Sequence, residues 1–577
     1  MAKEFFNRDM EFFLDRRMDW ARYFGLLRGA EANATEEVAT YKMVLRTTGE
    51  VCEAIDEGAR GHWAEHVVLR DGEVVVPPHI AAGYARLRAA GLVALPLGAA
   101  YGGYGLPTLV NSAYLEMIAR ADSSLMTIVG LQAGVAHDIE AYGSDEIKAR
   151  YLPGFASGEY QGCMDLTEPQ AGSDLGGITT RATRDGDHYV VDGEKVFITN
   201  GGAAVHLVLA RDAATYDQSH GTTGGLSLIL CPRVLPDGRR NGIQVRRVES
   251  KLGIHGSPTC VVGLEHAEGY LLGEAGQGFH AMLDLMNNAR LGVAAQAIGV
   301  AEAAFREARA YAAERVQFGT AIIEQPLVKS MLTLMAVHVQ AARALLYRTC
   351  ARLDLTQALG AYLASDRGRD DPQREALEAE RRRGVQAVRF LTPLCKYYAT
   401  EISNEVTRRG VQVHGGLGYM AESRAGQYHC DSIITTIYEG TSEIQASFAL
   451  KEMSKGAIFT ALEEIGAELA PLDAQSPDLV AQVRTGMQWI HTSLTALMAD
   501  PRYALLNAKR LCEMVIDVLV ASELLQQAVH DEEKLVLATT FIHRRMPAVE
   551  MKARRIGSGD ASRLQRYDRI LGLPQAH

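Results

Sequence analysis

His188-Tyr189-Val190-Val191-Asp192-Gly193-Glu194-Lys195-Val196-Phe197-Ile198-Thr199 is the stretch on which the reading of the fold turns. Two short β-rich runs, 188–191 and 195–199, flank Asp192-Gly193, a pair that suits a two-residue hairpin turn. Similar runs follow at Val205 to Leu209, Leu226 to Leu230, Ile243-Gln244-Val245 and Cys260-Val261-Val262, with turn residues between them. Together they predict a small sheet or barrel over residues 159–277.

On either side of this region the apolar period becomes helical. Ala34 to Ala59 places Val38, Tyr41, Val44, Leu45, Val51 and Ile55 on one face. Asn111 to His137 reads as a second long helical stretch, interrupted near Asp122-Ser123-Ser124, and the glycine cluster from Tyr101 to Pro107 reads as a loop. After 278 the helices return: Met282 to Val316, stopping at Gly319, then Leu327 to Leu355 and Val385 to Val413. Residues 366–384 form a charge-dense insert, a solvated loop or short helix, and 466–577 are mostly helical beyond Pro471 and Pro477. The expectation is an α+β fold of four parts: an N-terminal helical domain (1–158), a central β-barrel or sheet domain (159–277), a C-terminal helical bundle (278–465) and a helical extension (466–577). Segregated elements of this kind argue against a doubly wound α/β sheet. Gly416-Leu417-Gly418-Tyr419-Met420-Ala421 matches a dinucleotide-binding pattern, with Glu439 about twenty residues on, but no βαβ unit surrounds it.

The chain has 577 residues, enough for about four domains at ~150 residues each. Apolar residues are 47% and charged residues 22%, a globular balance. The net charge of −11 argues against nucleic acid as a bulk partner. No integral membrane span is expected. The uncharged stretch 89–115 is broken by glycines and prolines, and Ser123 to Ala136 falls short of the ~20 residues a span needs. The N-terminal MAKEFFNRDMEFF lacks a signal-peptide core, and the C-terminal LPQAH carries no recognised address. The eight cysteines are scattered without a CxxC pair, which reads as reduced thiols in a cytoplasmic protein with no zinc or other metal site.

Several segments have residue types suited to chemistry. Thr167-Glu168-Pro169-Gln170-Ala171-Gly172-Ser173-Asp174 leads into the β-region, and its small and hydroxylated residues let backbone N–H groups approach a ligand; an ordinary turn fits equally well. Phe197 and Thr199 share a strand face, where an aromatic and a hydroxyl suit a planar ring cofactor; a core strand is the plainer alternative. In Tyr438-Glu439-Gly440-Thr441-Ser442-Glu443-Ile444-Gln445, Ser442 with Gln445 reads as a capping box, so a helix starts near Glu443. Glu439 precedes that start, after the apolar-leaning run 433–437, and Gly440 permits an unusual backbone angle. A carboxylate in an apolar pocket serves as a base, although the helix dipole opposes the rise in its pKa; a surface glutamate beside a cap is the bland alternative. In Glu314-Arg315-Val316-Gln317-Phe318-Gly319, Arg315 and Phe318 are three apart and share a helix face, and arginine suits a phosphate as well as a surface ion pair. From Phe541 to Ile570, eight Lys/Arg stand against three acids. Nucleic acid or an anionic membrane would suit that excess, as would a solvated helix face or pairing with the acidic body.

In this order the blocks at 167–174, 192–202, 251–259 (Lys-Leu-Gly-Ile-His-Gly-Ser-Pro-Thr), 314–319, 412–419 (Gln-Val-His-Gly-Gly-Leu-Gly-Tyr) and 437–445 resemble the flavin-dependent acyl-CoA dehydrogenases. The long N-terminus, charged insert and helical extension resemble the larger, roughly 600-residue branch found among bacterial enzymes. The resemblance implies FAD as cofactor. It places Leu166 and Thr167 at the flavin ring, Ser173 at flavin or acyl-CoA, Phe197 beside the isoalloxazine and Thr199 near flavin N5. Arg315, Gln317 and Phe318 match positions that reach the FAD of a neighbouring subunit. Gln412, Gly415 and Gly416 match contacts to its pyrophosphate, with Thr441 and Glu443 at further FAD positions. Arg290 aligns with an arginine near the bound acyl-CoA, Gly440 with the substrate side of the turn, and Glu439 with the catalytic base. Cys430-Asp431 replaces a common Arg-Asp, which implies the loss of a supporting ion pair.

The implied reaction is α,β-desaturation of an acyl-CoA thioester in fatty or carboxylic acid degradation, with electron-transfer flavoprotein as acceptor and a homodimer, or a tetramer, as the assembly. An acyl-CoA oxidase, or a DNA-associated flavoprotein of the same fold, is the alternative. Relatives that oxidise nitroalkanes or hydroxylate aromatics lack this glutamate in its Tyr-Glu-Gly setting.

Overall fold

The computed structural model describes residues 4–29 and 33–573. The stretches 1–3 and 574–577, part of the terminal segments read above, lie outside them. The chain divides into two compact units. The first holds the segment ending at Glu11, Thr35–Val328 and Ser403–Thr435. The second holds Phe12–Ala34, Lys329–Ile402 and the chain from Thr436 onward.

In the first unit, the helix Ala34–Ala59 follows the sequence pattern and buries Tyr41, Leu45, Cys52 and Ile55. The interruption at Asp122 is a real boundary between helices Thr108–Ala121 and Ser123–Tyr142. Asp122 leaves the helical region (φ −155°) and its carboxylate accepts the Leu125 amide at 3.0 Å, capping the second helix. A small hairpin of Val68–Arg70 and Glu73–Val75 was not marked by the sequence pattern.

The β-region closes on itself. Around the ring run Val205–Asp212, Arg181–Asp185, His188–Thr199, Thr259–Leu272 and Leu226–Pro232, the last pairing back onto Val205–Asp212. Gly162–Asp165 pairs with Val205–Asp212, and Ile243–Val248 with Thr259–Leu272. Val205 to Arg211 is buried throughout, which explains its continuous apolar reading. Val208 and Ala210 face a core with Val191, Ile198, Ile229 and Val262. Val205, Leu207 and Leu209 face the helical residues Val135, Ile139, Leu152 and Phe155.

The expected hairpin at Asp192-Gly193 does not form. His188–Thr199 runs as one strand with an irregularity in pairing between Val191 and Gly193. Asp192 accepts the His266 amide from the neighbouring strand at 2.8 Å, so the pair bends the sheet instead of reversing the chain. The reversal falls earlier, between Asp185 and His188, around Gly186 at φ +61°.

The helix expected over Met282 to Val316 is Gly278–Glu314. It packs closely on Thr108–Ala121: a Cβ on Gly299 would lie 2.4 Å from the Glu116 carbonyl oxygen. After it, Val316–Gln317 and Thr320–Ala321 form a tight hairpin. Phe318 (φ +54°) and Gly319 (φ +80°) turn it, as the primed hairpin turns require. Arg315 and Phe318 therefore do not share a helix face.

The second unit is helical. Ala508–Ala528 is apolar nearly all round and central, burying Leu511, Met514, Val515, Ile516 and Val518. Its buried Glu523 accepts from Arg17 at 2.8 and 2.9 Å and from Arg348 at 3.3 Å. In the basic stretch, Arg545 and Lys552 turn onto buried Asp517 at 2.6 and 3.4 Å, and Arg554 pairs with Glu550 at 2.7 Å. For these three cations the charge is met within the fold. Of the charge-dense insert, Asp366–Arg369 is a short helix and residues from Arg374 already belong to Arg374–His414. Among the described residues no helix is long and apolar enough to cross a membrane.

Candidate active site

The 166–174 loop is anchored by a lysine that sequence reading passed over. Lys195 is fully buried; its Nζ donates to the Leu166 carbonyl (2.9 Å), the Leu209 carbonyl (2.7 Å) and Glu168 Oε1 (2.9 Å). Glu168 also accepts the amides of Thr179 (2.8 Å) and Thr180 (3.0 Å). Burial raises its pKa, but Lys195 and these donors outweigh burial and hold it at about 2.

The Val196 amide donates to the Thr167 carbonyl at 2.8 Å, which sets Thr167 beside the end of the strand carrying Phe197 and Thr199. Leu166, Thr167, Phe197 and Thr199 thus come together at two adjoining strand ends, and Ser173 sits on the exposed part of the same loop. Phe197 is 65% exposed and held at φ +59°. A strained, solvent-facing aromatic costs stability and marks a place for a ligand. Arg290 is buried on Gly278–Glu314.

A second cluster in the same unit joins two blocks far apart in sequence. The Tyr311 and His414 rings stack at 4.5 Å, bringing the helix end that precedes Arg315, Gln317 and Phe318 against the helix end that carries Gln412 and precedes Gly415 and Gly416. All six are exposed, Phe318 by 94%. A Cβ on Gly415 or Gly416 would meet nothing within 4 Å, so the backbone there is open to a ligand.

Where the resemblance implied a lost ion pair, Asp431 has other partners. Its Oδ1 accepts the Ile254 amide at 2.6 Å and the Trp63 indole N–H at 3.1 Å. Burial pushes its pKa up to about 7 against these two donors. The contact holds Ile254, a β-branched residue, at φ +44°. Gly253 is required beside it, since a Cβ there would fall 2.5 Å from the Cys430 backbone.

In the second unit, Glu439 sits at φ +56° and Gly440 at φ +94°. Gln445 Nε2 donates to both their carbonyls, at 2.9 and 3.2 Å, and buried Lys396 donates to the Gly440 carbonyl at 2.8 Å. The helix that follows is capped one residue earlier than expected. Thr441 accepts the Ile444 amide at 3.4 Å, while Ser442 Oγ donates to Glu401 at 2.5 Å. The side chain of Gln445 is spent on the Glu439 turn rather than on a capping box. Glu443 is exposed and pairs with Lys509 of the C-terminal extension at 3.1 Å; its own backbone N–H, then Lys509, holds its pKa below the usual range.

Among the described residues, seven non-glycine residues have positive φ, and five of them (Phe197, Asn200, Ile254, Phe318 and Glu439) fall within the six blocks. Strain of this kind gathers where function needs it.

Comparison with known proteins agrees. Family models of the acyl-CoA dehydrogenase N-terminal, middle and C-terminal domains match residues 48–159, 163–267, and 276–365 with 373–454. A 3-methylmercaptopropionyl-CoA dehydrogenase of Ruegeria pomeroyi is 34% identical over 465 residues, covering 76% of this chain and 74% of that protein. Among solved structures, butyryl-CoA dehydrogenase of Megasphaera elsdenii is 26% identical, with a TM-score of 0.59 over 72% of this chain and 97% of its own. An acyl-CoA dehydrogenase of Bacillus anthracis complexed with FAD shares the fold over 96% of this chain and 94% of its own, with a TM-score of 0.72 at 23% identity. The chain belongs to the acyl-CoA dehydrogenase family, which comprises FAD-dependent oxidoreductases. The residues present fit that cofactor: an exposed flat aromatic beside a hydroxyl at Phe197 and Thr199, and an open glycine pair at 415–416.

Proposed function

We propose that the protein removes the α- and β-hydrogens of an acyl-CoA thioester to form the trans-2-enoyl-CoA, with Glu439 as the base. The observation that carries this reading is the strained Glu439-Gly440 turn, whose two carbonyls are clamped by Gln445 and Lys396. Clamping the backbone on both sides of the turn fixes the point from which the Glu439 side chain reaches, which favours the positioning that proton abstraction from carbon requires. Glu439 takes the α-proton, and its backbone N–H stabilises the charge developing on the thioester oxygen. Leu166, Thr167, Ser173, Phe197 and Thr199 hold and orient the flavin, and Ser173, Arg290 and Gly440 serve the acyl-CoA. When bound, FAD supplies the hydride acceptor for the β-carbon.

The exposed set Arg315, Gln317, Phe318, Gln412, Gly415 and Gly416, together with Thr441 and Glu443, completes the binding of flavin in a homodimer, with Arg315, Gln317 and Phe318 serving the cofactor of a second copy. The four parts 1–158, 159–277, 278–465 and 466–577 are taken as its domains. Electron-transfer flavoprotein is the acceptor we assign. The cytoplasm is the compartment, in keeping with eight free cysteines.

The test is anaerobic titration of the purified protein with a panel of acyl-CoAs, followed by visible absorbance. We expect one acyl-CoA to bleach the wild type, and Glu439→Gln to slow bleaching by about 10²- to 10⁴-fold while keeping the flavin. A yellow protein that no acyl-CoA reduces overturns the reading. Rapid oxygen consumption in the reoxidation step assigns an oxidase instead.

A further inference from the structure

In the first unit, next to Trp63 in the chain and facing Asp122, lies a cluster of two histidines and a glutamate. His62 and Glu65 lie on the turn that follows helix Ala34–Ala59, and His79 lies in the first turn of helix Pro78–Ala89. The two oxygens of Glu65 are shared between the two imidazoles: Oε1 is 2.7 Å from His62 Nδ1 and Oε2 is 3.5 Å from His79 Nδ1. One ligand atom from each of the three residues lies within 4.8 Å of the others. Four-coordinate zinc, with bonds near 2.0–2.1 Å, sets neighbouring donors about 3.3 Å apart, within the range seen here.

The remaining features also suit a metal. The His79 side chain is 8% exposed, and its buried Nδ1 has no hydrogen-bond partner. Its other nitrogen, Nε2, faces Asp122 Oδ2 at 3.7 Å. A metal-bound imidazole characteristically directs its second nitrogen at a carboxylate, which fixes the tautomer and leaves the first nitrogen's lone pair for the metal. His62 and Glu65 are 50% and 43% exposed at the side chain, so an ion has an entry path and a position open to water. Two imidazoles and one carboxylate form a borderline-soft set that suits zinc and not magnesium or calcium, which take oxygen ligands.

We propose that His62, Glu65 and His79 form a zinc site completed by water, with Asp122 orienting His79. The bound ion would staple the turn after Ala34–Ala59 to the start of Pro78–Ala89. The site does not depend on the flavin chemistry.

The test uses the full flavin-loaded chain, stripped with EDTA and titrated with Zn²⁺ by calorimetry. The flavin spectrum serves as a check that each variant is folded. We expect one Zn²⁺ per chain. His62→Ala and His79→Ala should each weaken binding more than about tenfold, and Asp122→Asn about ten- to a hundredfold, since asparagine keeps the helix cap but loses the charge. His66→Ala, outside the set, should leave binding unchanged. Co²⁺ in place of Zn²⁺ should give the visible absorption of a four-coordinate complex, lost in His79→Ala. Glu65→Gln, close in volume to the wild type, serves if an alanine variant does not fold. The proposal is overturned if the wild type takes up no Zn²⁺, if excess Mg²⁺ displaces it, or if a folded variant at positions 62, 65 and 79 binds as tightly as the wild type.

Discussion

Two buried lysines each pin a functional segment, and they do it differently. In the barrel, Lys195 grips the 166–174 loop through two carbonyls and the Glu168 carboxylate. In the helical unit, Lys396 grips the Glu439-Gly440 turn through the Gly440 carbonyl, with Gln445 holding the neighbouring one. The first clamp relies on a pair of opposite charges taken out of water, so it fails when either charge is lost. The second grips the turn through backbone carbonyls, which do not titrate. The 166–174 loop is therefore held in part by a carboxylate that acid protonates, whereas the hold on the Glu439-Gly440 turn is on its carbonyls.

The largest effect should come from breaking the first clamp. Lys195→Met leaves Glu168 buried without its cation and should cost about 3–5 kcal/mol in denaturant unfolding, with loss of flavin. Next is its pH dependence. Glu168 is held at about 2 against an ordinary 4.5, so its contribution is fully present above pH 4.5 and is lost as pH falls toward 2. That amounts to about 3 kcal/mol, and Glu168→Gln should remove this part of the acid profile. Lys396→Met leaves the Gly440 carbonyl with one donor fewer and should cost about 1–3 kcal/mol. It should lower kcat more than it weakens flavin binding. The smallest effect is Thr441→Ala, a lost helix cap worth about 1 kcal/mol. If Glu168→Gln leaves the acid profile unchanged, the distinction between the two clamps fails.

Much of this was legible in the chain. Helix Ala34–Ala59 appeared with its bounds, and the break at Asp122 appeared because an aspartate before a helix signals a cap. The β-rich middle stood out by composition and turns. Asp192-Gly193 misled, because the same dipeptide serves a turn or a bulge depending on whether a strand lies alongside, and Thr259–Leu272 does. The helix Gly278–Glu314 was carried two residues too far, to Val316, because Gly319 is a turn glycine of the following hairpin, which looks like a helix stop when read alone.

By itself, the sequence determined the kind of most of the long elements and the order of the blocks that define the family. These rest on period, capping and turn chemistry within a few residues. Only the tertiary structure decided that Lys195 meets Glu168 across 27 residues, that Asp431 takes the Ile254 amide across 177, and that His79 turns toward Glu65. Such pairs carry no local signature, because burial and distance set their energy and both arise only when the chain has folded.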